Sequence, residues 1–96
     1  MIRKKLLVEG DVQGVGYRAA CLREALRIGK LYGWVCNLPN GVVEVVMQGD
    51  PIAVAKLIHW CREGPPAAEV EKITELPLSN EENMDSEFFT FKIKQF

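Results

Sequence analysis

The stretch GDVQGVGYR, residues 10–18, links an alternating apolar segment to a segment with the apolar spacing of a helix. Its glycines at positions 14 and 16 let the backbone turn tightly and point N–H groups at a ligand oxygen. The N-terminus of the following helix favours a bound anion in the same place. Arg18 adds a planar guanidinium that can donate to two oxygens at once. The stretch therefore predicts a strand, a turn that binds a phosphate-sized anion, and a helix.

Two well-known glycine motifs are similar to this turn. Gly14, Gly16 and Ala19 match the dinucleotide fingerprint G-x-G-x-x-A. The second predicted strand, however, ends at Asn37, where that fingerprint needs an acidic residue, and 96 residues are too few for a doubly wound sheet. The Walker pattern is absent too, because no Gly-Lys-Ser/Thr follows the turn. On its own the turn is equally typical of a structural loop, so a second motif is needed to assign a function.

The hydrophobic pattern of the whole chain indicates an α+β fold. Helices are predicted over Tyr17–Gly29 and from Asp50-Pro51 to Gly64. Strands are predicted over Lys5–Asp11, Leu31–Asn37, Val42–Gly49 and Glu69–Leu76, with a last strand through Phe89, Phe91 and Ile93 after a polar loop, Ser79–Asp85. We expect the order β-α-β-β-α-β of a ferredoxin-like sandwich, in which two helices cover one face of a mostly antiparallel, four-stranded sheet.

Two local features follow from the same pattern. Asn40-Gly41 between two strands favours a hairpin with a type I′ turn. The first helix is expected to bury one apolar stripe, formed by Ala19, Leu22, Ala25 and Leu26.

Composition excludes several classes of protein. A net charge of −1 and a pI near 5.8 give no general attraction to nucleic acid or to acidic membranes. The apolar runs are short and no secretory region is recognisable, so we expect one cytoplasmic domain over residues 1–96. Cys21, Cys36 and Cys61 suit neither a disulfide framework nor a CxxC metal site. Because no acidic or histidine cluster supplies ligands either, we expect no metal and no cofactor.

The second motif is GWVCNLPNGVVE, residues 33–44. Together the two stretches resemble the acylphosphatase family, whose signatures read G-x-V-Q-G-V-x-[FY]-R and G-[FYW]-V-x-N followed by D-G-x-V-E. The likeness continues through Gly64-Pro65-Pro66 and Val70-Glu71 to residues 91–93, so that it covers nearly the whole chain. The resemblance implies the ferredoxin-like fold and the hydrolysis of acyl phosphates to a carboxylate and inorganic phosphate.

The resemblance also implies particular residues for this chemistry. Arg18 and Asn37 take the positions of the catalytic residues, with Arg18 on the phosphate and Asn37 on the attacking water. The implied phosphate-binding residues are Gln13, Gly14, Val15, Gly16, Tyr17 and Arg18. The implied partners are a small-molecule acyl phosphate and inorganic phosphate, the latter as product and competitive inhibitor. A monomer that binds neither nucleic acid nor membrane is expected.

Three departures from the family pattern are visible. Asn40 replaces the usual Asp, and Cys36 occupies a position that is more often basic or polar, at the expected rim of the site. The connection Gly29-Lys30-Leu31 is one residue longer than usual. Since loops absorb single insertions, we expect a local bulge at Lys30 and no displacement of Asn37.

Other functions and roles stay open at this point. A regulatory phosphate-binding module of the same fold is the main alternative, although the chain ends just after its last strand and is expected to act alone. RNA binding is disfavoured because the central strands Lys5–Asp11 and Val42–Gly49 carry no aromatic residues. Cys21 is expected to pack beside the site, with an activated thiol as the alternative. His59 is expected on the surface and Trp34 in the core.

Overall fold

The protein is described here by a computed structural model, which covers residues 1–78 and 90–95. The predicted loop Ser79–Asp85 and the predicted strand position Phe89 lie outside the described residues. The elements in chain order are β1 (Ile2–Asp11), α1 (Tyr17–Ile28), β2 (Leu31–Asn37), β3 (Val43–Gly49), α2 (Pro51–Glu63), β4 (Glu69–Pro77) and β5 (Phe91–Ile93). Most predicted boundaries lie within one residue of these, whereas β1 begins three residues earlier than expected.

The sheet has the strand order β4-β1-β3-β2-β5. β1 pairs antiparallel with β3 and with β4, and β2 pairs antiparallel with β3. The ferredoxin-like sandwich is therefore confirmed, but the sheet has five strands and the expected number of four is wrong. The last predicted strand, β5, is the fifth strand of this sheet. It pairs in parallel with β2, where Ile93 lies opposite Val35. By covering the edge of β2, β5 satisfies backbone groups that would otherwise be unpaired.

The main core lies between the helices and one face of the sheet. The sheet contributes fully buried side chains such as Leu6, Val8 and Met47, and the helices contribute Leu57 and Cys61. A smaller apolar cluster occupies the opposite face, since side chains alternate along a strand. It is built on Trp34, Cys36 and Val46, with Tyr32, Leu38 and Leu78 packed against it. Trp34 is thus buried as predicted, but away from the helices.

The buried face of α1 differs from the predicted stripe. Tyr17, Cys21 and Ala25, at successive intervals of four residues, face the core, and Ala20 lies beside them. Leu26 is 60% exposed, and Ala19 is also exposed. The large ring of Tyr17 explains the difference, because its burial at the first position of the helix sets which face turns inward.

The turns before and after β2 each have an unusual backbone conformation. Lys30 adopts a φ of 60° and is the one non-glycine residue with positive φ in the described ranges. The connection before β2 therefore contains a left-handed residue at Lys30, and the expected bulge stays a prediction. In the β2–β3 hairpin, Gly41 N donates to Leu38 O at 3.2 Å and Gly41 has a φ of 88°. Asn40 lacks the positive φ that a type I′ turn requires, so this prediction was wrong; the loop is a three-residue connection with glycine in the left-handed position.

By length and hydropathy, neither helix of the described chain qualifies as a membrane span.

Candidate active site

A cavity of about 270 Å³ opens where three parts of the fold meet. These parts are the β1–α1 loop with the first residues of α1, the end of β2, and the residues in and after β5. The lining residues are Val12, Gly14, Gly16, Tyr17, Arg18, Ala19, Asn37, Ile93 and Gln95. The fold thus brings Arg18 and Asn37 to one cavity, together with much of the predicted phosphate loop.

The loop needs its two glycines for backbone conformation. Gly14 and Gly16 have φ values of 76° and 81°, which side chains with a Cβ rarely adopt. A Cβ at either position would meet no atom within 4 Å. The glycines are therefore needed for the backbone conformation of the loop, and the space where a Cβ would stand is open.

Gly16 is also the N-cap residue of α1, where it has a left-handed backbone and no side-chain cap. The first N–H groups of a helix have no partner within the helix, and side chains such as Ser or Asp usually accept from them. Here that acceptor is lacking and the helix end borders the cavity. These donors are therefore available to an anion.

Arg18, the second residue of α1, is half-buried at the cavity wall. Among residues 1–78 and 90–95, no carboxylate forms an ion pair with it. No carboxylate of the described residues therefore neutralises its positive charge.

Asn37, the last residue of β2, has a buried side-chain oxygen, Oδ1, that accepts no hydrogen bond from the described part of the chain. An unsatisfied buried oxygen costs free energy, and such groups are commonly satisfied by water or a ligand. Asn37 therefore places a free acceptor at the cavity that Arg18 also lines.

The side chain of Gln13 makes hydrogen bonds of its own, whereas the predicted role of Gln13 in phosphate binding rests on its backbone N–H. Its side-chain amide nitrogen donates to Leu38 O at 2.9 Å and to Val42 O at 3.1 Å. These bonds tie the phosphate loop to the hairpin that follows Asn37. Gln13 and Val15 are absent from the cavity lining, and Val15 packs against the core. No local pattern indicates the two hydrogen bonds, because their acceptors are backbone oxygens that are distant along the chain.

Tyr17 anchors the start of α1 rather than presenting a titratable group. Its hydroxyl donates to Cys61 O at 2.8 Å, and its ring packs against Trp60 with 5.3 Å between centroids. Burial raises the pKa of Tyr17 well above its ordinary value. The hydroxyl therefore stays protonated and fixes the backbone that carries Arg18.

The cysteines show no activated thiol. Cys21 is fully buried, and a hydrogen bond with Cys61, followed by burial, raises its pKa well above the ordinary value. The packing role predicted for Cys21 is confirmed. Cys36 is buried on the opposite face of the sheet, where desolvation and then Glu44 raise its pKa to about 11. It does not line the cavity of Arg18.

The fold is that of a small ferredoxin-like α+β domain, and comparison with known proteins gives its family. The Acylphosphatase family model matches residues 4–93. An acylphosphatase from Synechococcus sp. (strain CC9311) is 45% identical over 85 residues, which span 86% of this chain and 93% of that protein. The crystal structure of acylphosphatase from Bacillus subtilis matches with a TM-score of 0.86 at 31% identity, covering 98% of this chain and 99% of that one. The chain belongs to the acylphosphatase family.

A further match is full-length HypF in its phosphate- and nucleotide-bound form, with a TM-score of 0.75 and 26% identity. It covers 99% of this chain but 12% of that one. The matches to acylphosphatases over most of both chains favour an enzyme over the regulatory alternative. The chain is a hydrolase, and its substrate is a small-molecule acyl phosphate.

Proposed function

We propose that the cavity between the β1–α1 loop and the end of β2 is where the acyl phosphate is hydrolysed, with Arg18 on the phosphate and Asn37 on the water. One observation carries this proposal: Arg18 and Asn37 line the same cavity, the first with an unneutralised charge and the second with an unsatisfied acceptor.

The phosphate is bound by the loop and the arginine. The guanidinium of Arg18 donates to two phosphoryl oxygens, and backbone N–H groups of residues 13–17 donate to the others. Phosphoryl transfer passes through a loose transition state whose charge lies on these oxygens, so donors fixed in place stabilise it without reorganising.

The water is oriented by Asn37. Its Oδ1 accepts a hydrogen bond from the water, and the neutral amide does not repel the phosphate. The leaving carboxylate has a conjugate acid with a pKa of about 4, so it departs with little protonation. A phosphoryl oxygen of the substrate takes the proton from the water, and no separate general base is required.

The remaining properties follow from composition and chemistry. The enzyme works without metal or cofactor; in the described ranges, no three His, Cys, Asp or Glu side chains are grouped as metal ligands. Inorganic phosphate competes with the substrate for the loop. The chain acts as a monomeric single domain in the cytoplasm, and its free cysteines suit a reducing compartment.

The test is hydrolysis of benzoyl phosphate by the wild type, Arg18→Lys and Arg23→Lys. Arg23 is exposed on the same helix and does not line the cavity, so it is a matched control. We expect the wild type and Arg23→Lys to be active, and Arg18→Lys to lose about 10²-fold or more in kcat/KM, because lysine cannot form the two-point contact. Phosphate binding without turnover by the wild type would instead support a regulatory module.

A further inference from the structure

A second cavity, of about 310 Å³, adjoins the first. It is lined by Trp34, Cys36, Glu44, Lys94 and Gln95. Gln95 lines both cavities, and Cys36 directly precedes Asn37 in β2. The positive charges of Arg18 and Lys94 both act on Cys36, where each lowers the thiol pKa against the larger effects of burial and Glu44. The two cavities thus meet around the end of β2.

A binding place for the acyl group must be continuous with the phosphate cavity. In an acyl phosphate a single bridging oxygen joins the acyl carbon to phosphorus, so the two groups cannot occupy separated cavities. The larger cavity between α1 and α2, of about 560 Å³, shares no lining residue with the first. The cavity at Trp34 meets the requirement through Gln95.

The carboxylate of Glu44, which lines the second cavity, already has partners within the protein. Glu44 accepts from Trp34 Nε1 at 3.2 Å and from Cys36 Sγ at 3.4 Å, and Lys5 Nζ lies 3.7 Å from its other oxygen. The ammonium of Lys94 lies 4.2 Å from the centre of the Trp34 ring. The cavity therefore offers an aromatic wall and a lysine, whose stem is apolar and whose ammonium attracts the face of an aromatic ring.

We propose that the cavity lined by Trp34 and Lys94 binds the acyl group of the substrate and favours aromatic acyl phosphates over small aliphatic ones. An aromatic ring gains apolar contact with the wall and a cation–π contact with Lys94. The proposal rests on hydrolysis at the neighbouring cavity. It assigns a role in selecting substrates to Trp34, which lies within the second motif, and to Lys94, which lies outside both motifs.

The first experiment compares kcat/KM for benzoyl, acetyl and succinyl phosphate in the wild type and in Trp34→Leu, Lys94→Ala and Lys92→Ala. Lys92 lies in β5, two residues before Lys94, and lines neither cavity, so it is the control. We expect the benzoyl-to-acetyl ratio to fall about five- to tenfold in the first two variants. It should stay unchanged in Lys92→Ala.

Two results would overturn the proposal while leaving the phosphate site intact. One is an unchanged benzoyl-to-acetyl ratio in Trp34→Leu and Lys94→Ala while acetyl phosphate is still hydrolysed. The other is a wild-type preference for succinyl phosphate that Lys94→Ala removes, which would assign Lys94 to a carboxylate. If the wild type hydrolysed none of the three substrates, the proposed hydrolytic function would itself be wrong.

The second experiment needs no variant and no turnover. The chain has two tryptophans, of which Trp34 lines the cavity and Trp60 packs between the helices, so their indole N–H signals report separately in NMR spectra. Benzoylphosphonate, which cannot be hydrolysed at its carbon–phosphorus bond, should shift the Trp34 signal more than acetylphosphonate does. Equal effects of the two phosphonates on Trp34, with both bound in competition with phosphate, would place the acyl group elsewhere.

Discussion

The two helices of this protein begin in opposite ways. In α2, Asp50 Oδ1 accepts from Ile52 N at 2.8 Å, and Pro51 occupies the first turn. In α1 the N-cap residue is Gly16, which has no side chain to accept from the helix N–H groups. The first N–H groups of a helix have no partner within the helix. In α2, Pro51 carries no N–H and Asp50 accepts from Ile52, whereas in α1 the first N–H groups stay at the cavity that contains Arg18. α1 thus lacks a side-chain cap at the place where we propose that the substrate anion binds.

The largest effect on activity is expected when α1 receives an N-cap side chain like that of α2. Gly16→Asp adds a carboxylate at the helix start, and Gly16→Asn adds a side chain of similar shape without charge. Both residues tolerate left-handed backbone better than other L residues, and the added side chain meets open space. We expect kcat/KM of Gly16→Asp to lie about 10²-fold below that of Gly16→Asn, because the carboxylate occupies the donors and repels the phosphate.

Steady-state kinetics and phosphate binding by calorimetry measure both variants. Circular dichroism confirms that each one is folded. Equal kcat/KM values for Gly16→Asp and Gly16→Asn would mean that the start of α1 does not face the transferred phosphoryl group.

A second prediction separates the phosphate from the water. Asn37→Ala removes the unsatisfied acceptor but leaves Arg18 and the N-terminus of α1 in place. We expect kcat to fall by roughly 10- to 10²-fold, while the dissociation constant for phosphate changes less than about threefold. Titration with phosphate and initial-rate kinetics give the two quantities. A loss of phosphate affinity as large as that in Arg18→Ala would contradict the separate roles.

A third prediction concerns the connection between the two halves of the site. Gln13→Leu keeps the approximate size of the side chain but removes both donors to the hairpin, to Leu38 O and Val42 O. We expect kcat to fall about tenfold, because the loop that carries the phosphate is no longer held against the segment after Asn37. The dissociation constant for phosphate should change little.

A double-mutant cycle distinguishes this positioning role from a general loss of stability. If Gln13 acts through Asn37, Gln13→Leu should lower kcat much less in an Asn37→Ala background than in the wild type. Equal reductions in both backgrounds would show that Gln13 acts independently of Asn37.

The sequence predicts the element types well, and it correctly predicts that Arg18 and Asn37 lie at one cavity, for identifiable physical reasons. Strand and helix periods are local properties, and the two motifs place Arg18 and Asn37 next to the start of α1 and the end of β2. The position of Gln95 in the lining of the active-site cavity could not be predicted, because it depends on the parallel pairing of β5 with β2. Long-range pairing of this kind leaves no local pattern. The hydrogen bonds of the Gln13 side chain could not be predicted for a related reason, since its acceptors are backbone oxygens in another part of the chain.

The smallest effect is expected when α2 is made to resemble α1. Asp50→Ala removes the cap and should lower the free energy of unfolding by about 1 kcal/mol, a fall in Tm of roughly 4–8 °C in a domain of this size. Asp50 lies outside the active-site cavity, so kcat/KM should stay unchanged. Phosphate at about ten times its dissociation constant should stabilise the wild type and Asp50→Ala equally, by about 1.4 kcal/mol. Differential scanning calorimetry with and without phosphate measures these shifts. A larger phosphate effect in Asp50→Ala would mean that exposed helix N–H groups alone bind the anion, and Arg18 would then not be what distinguishes α1 from α2.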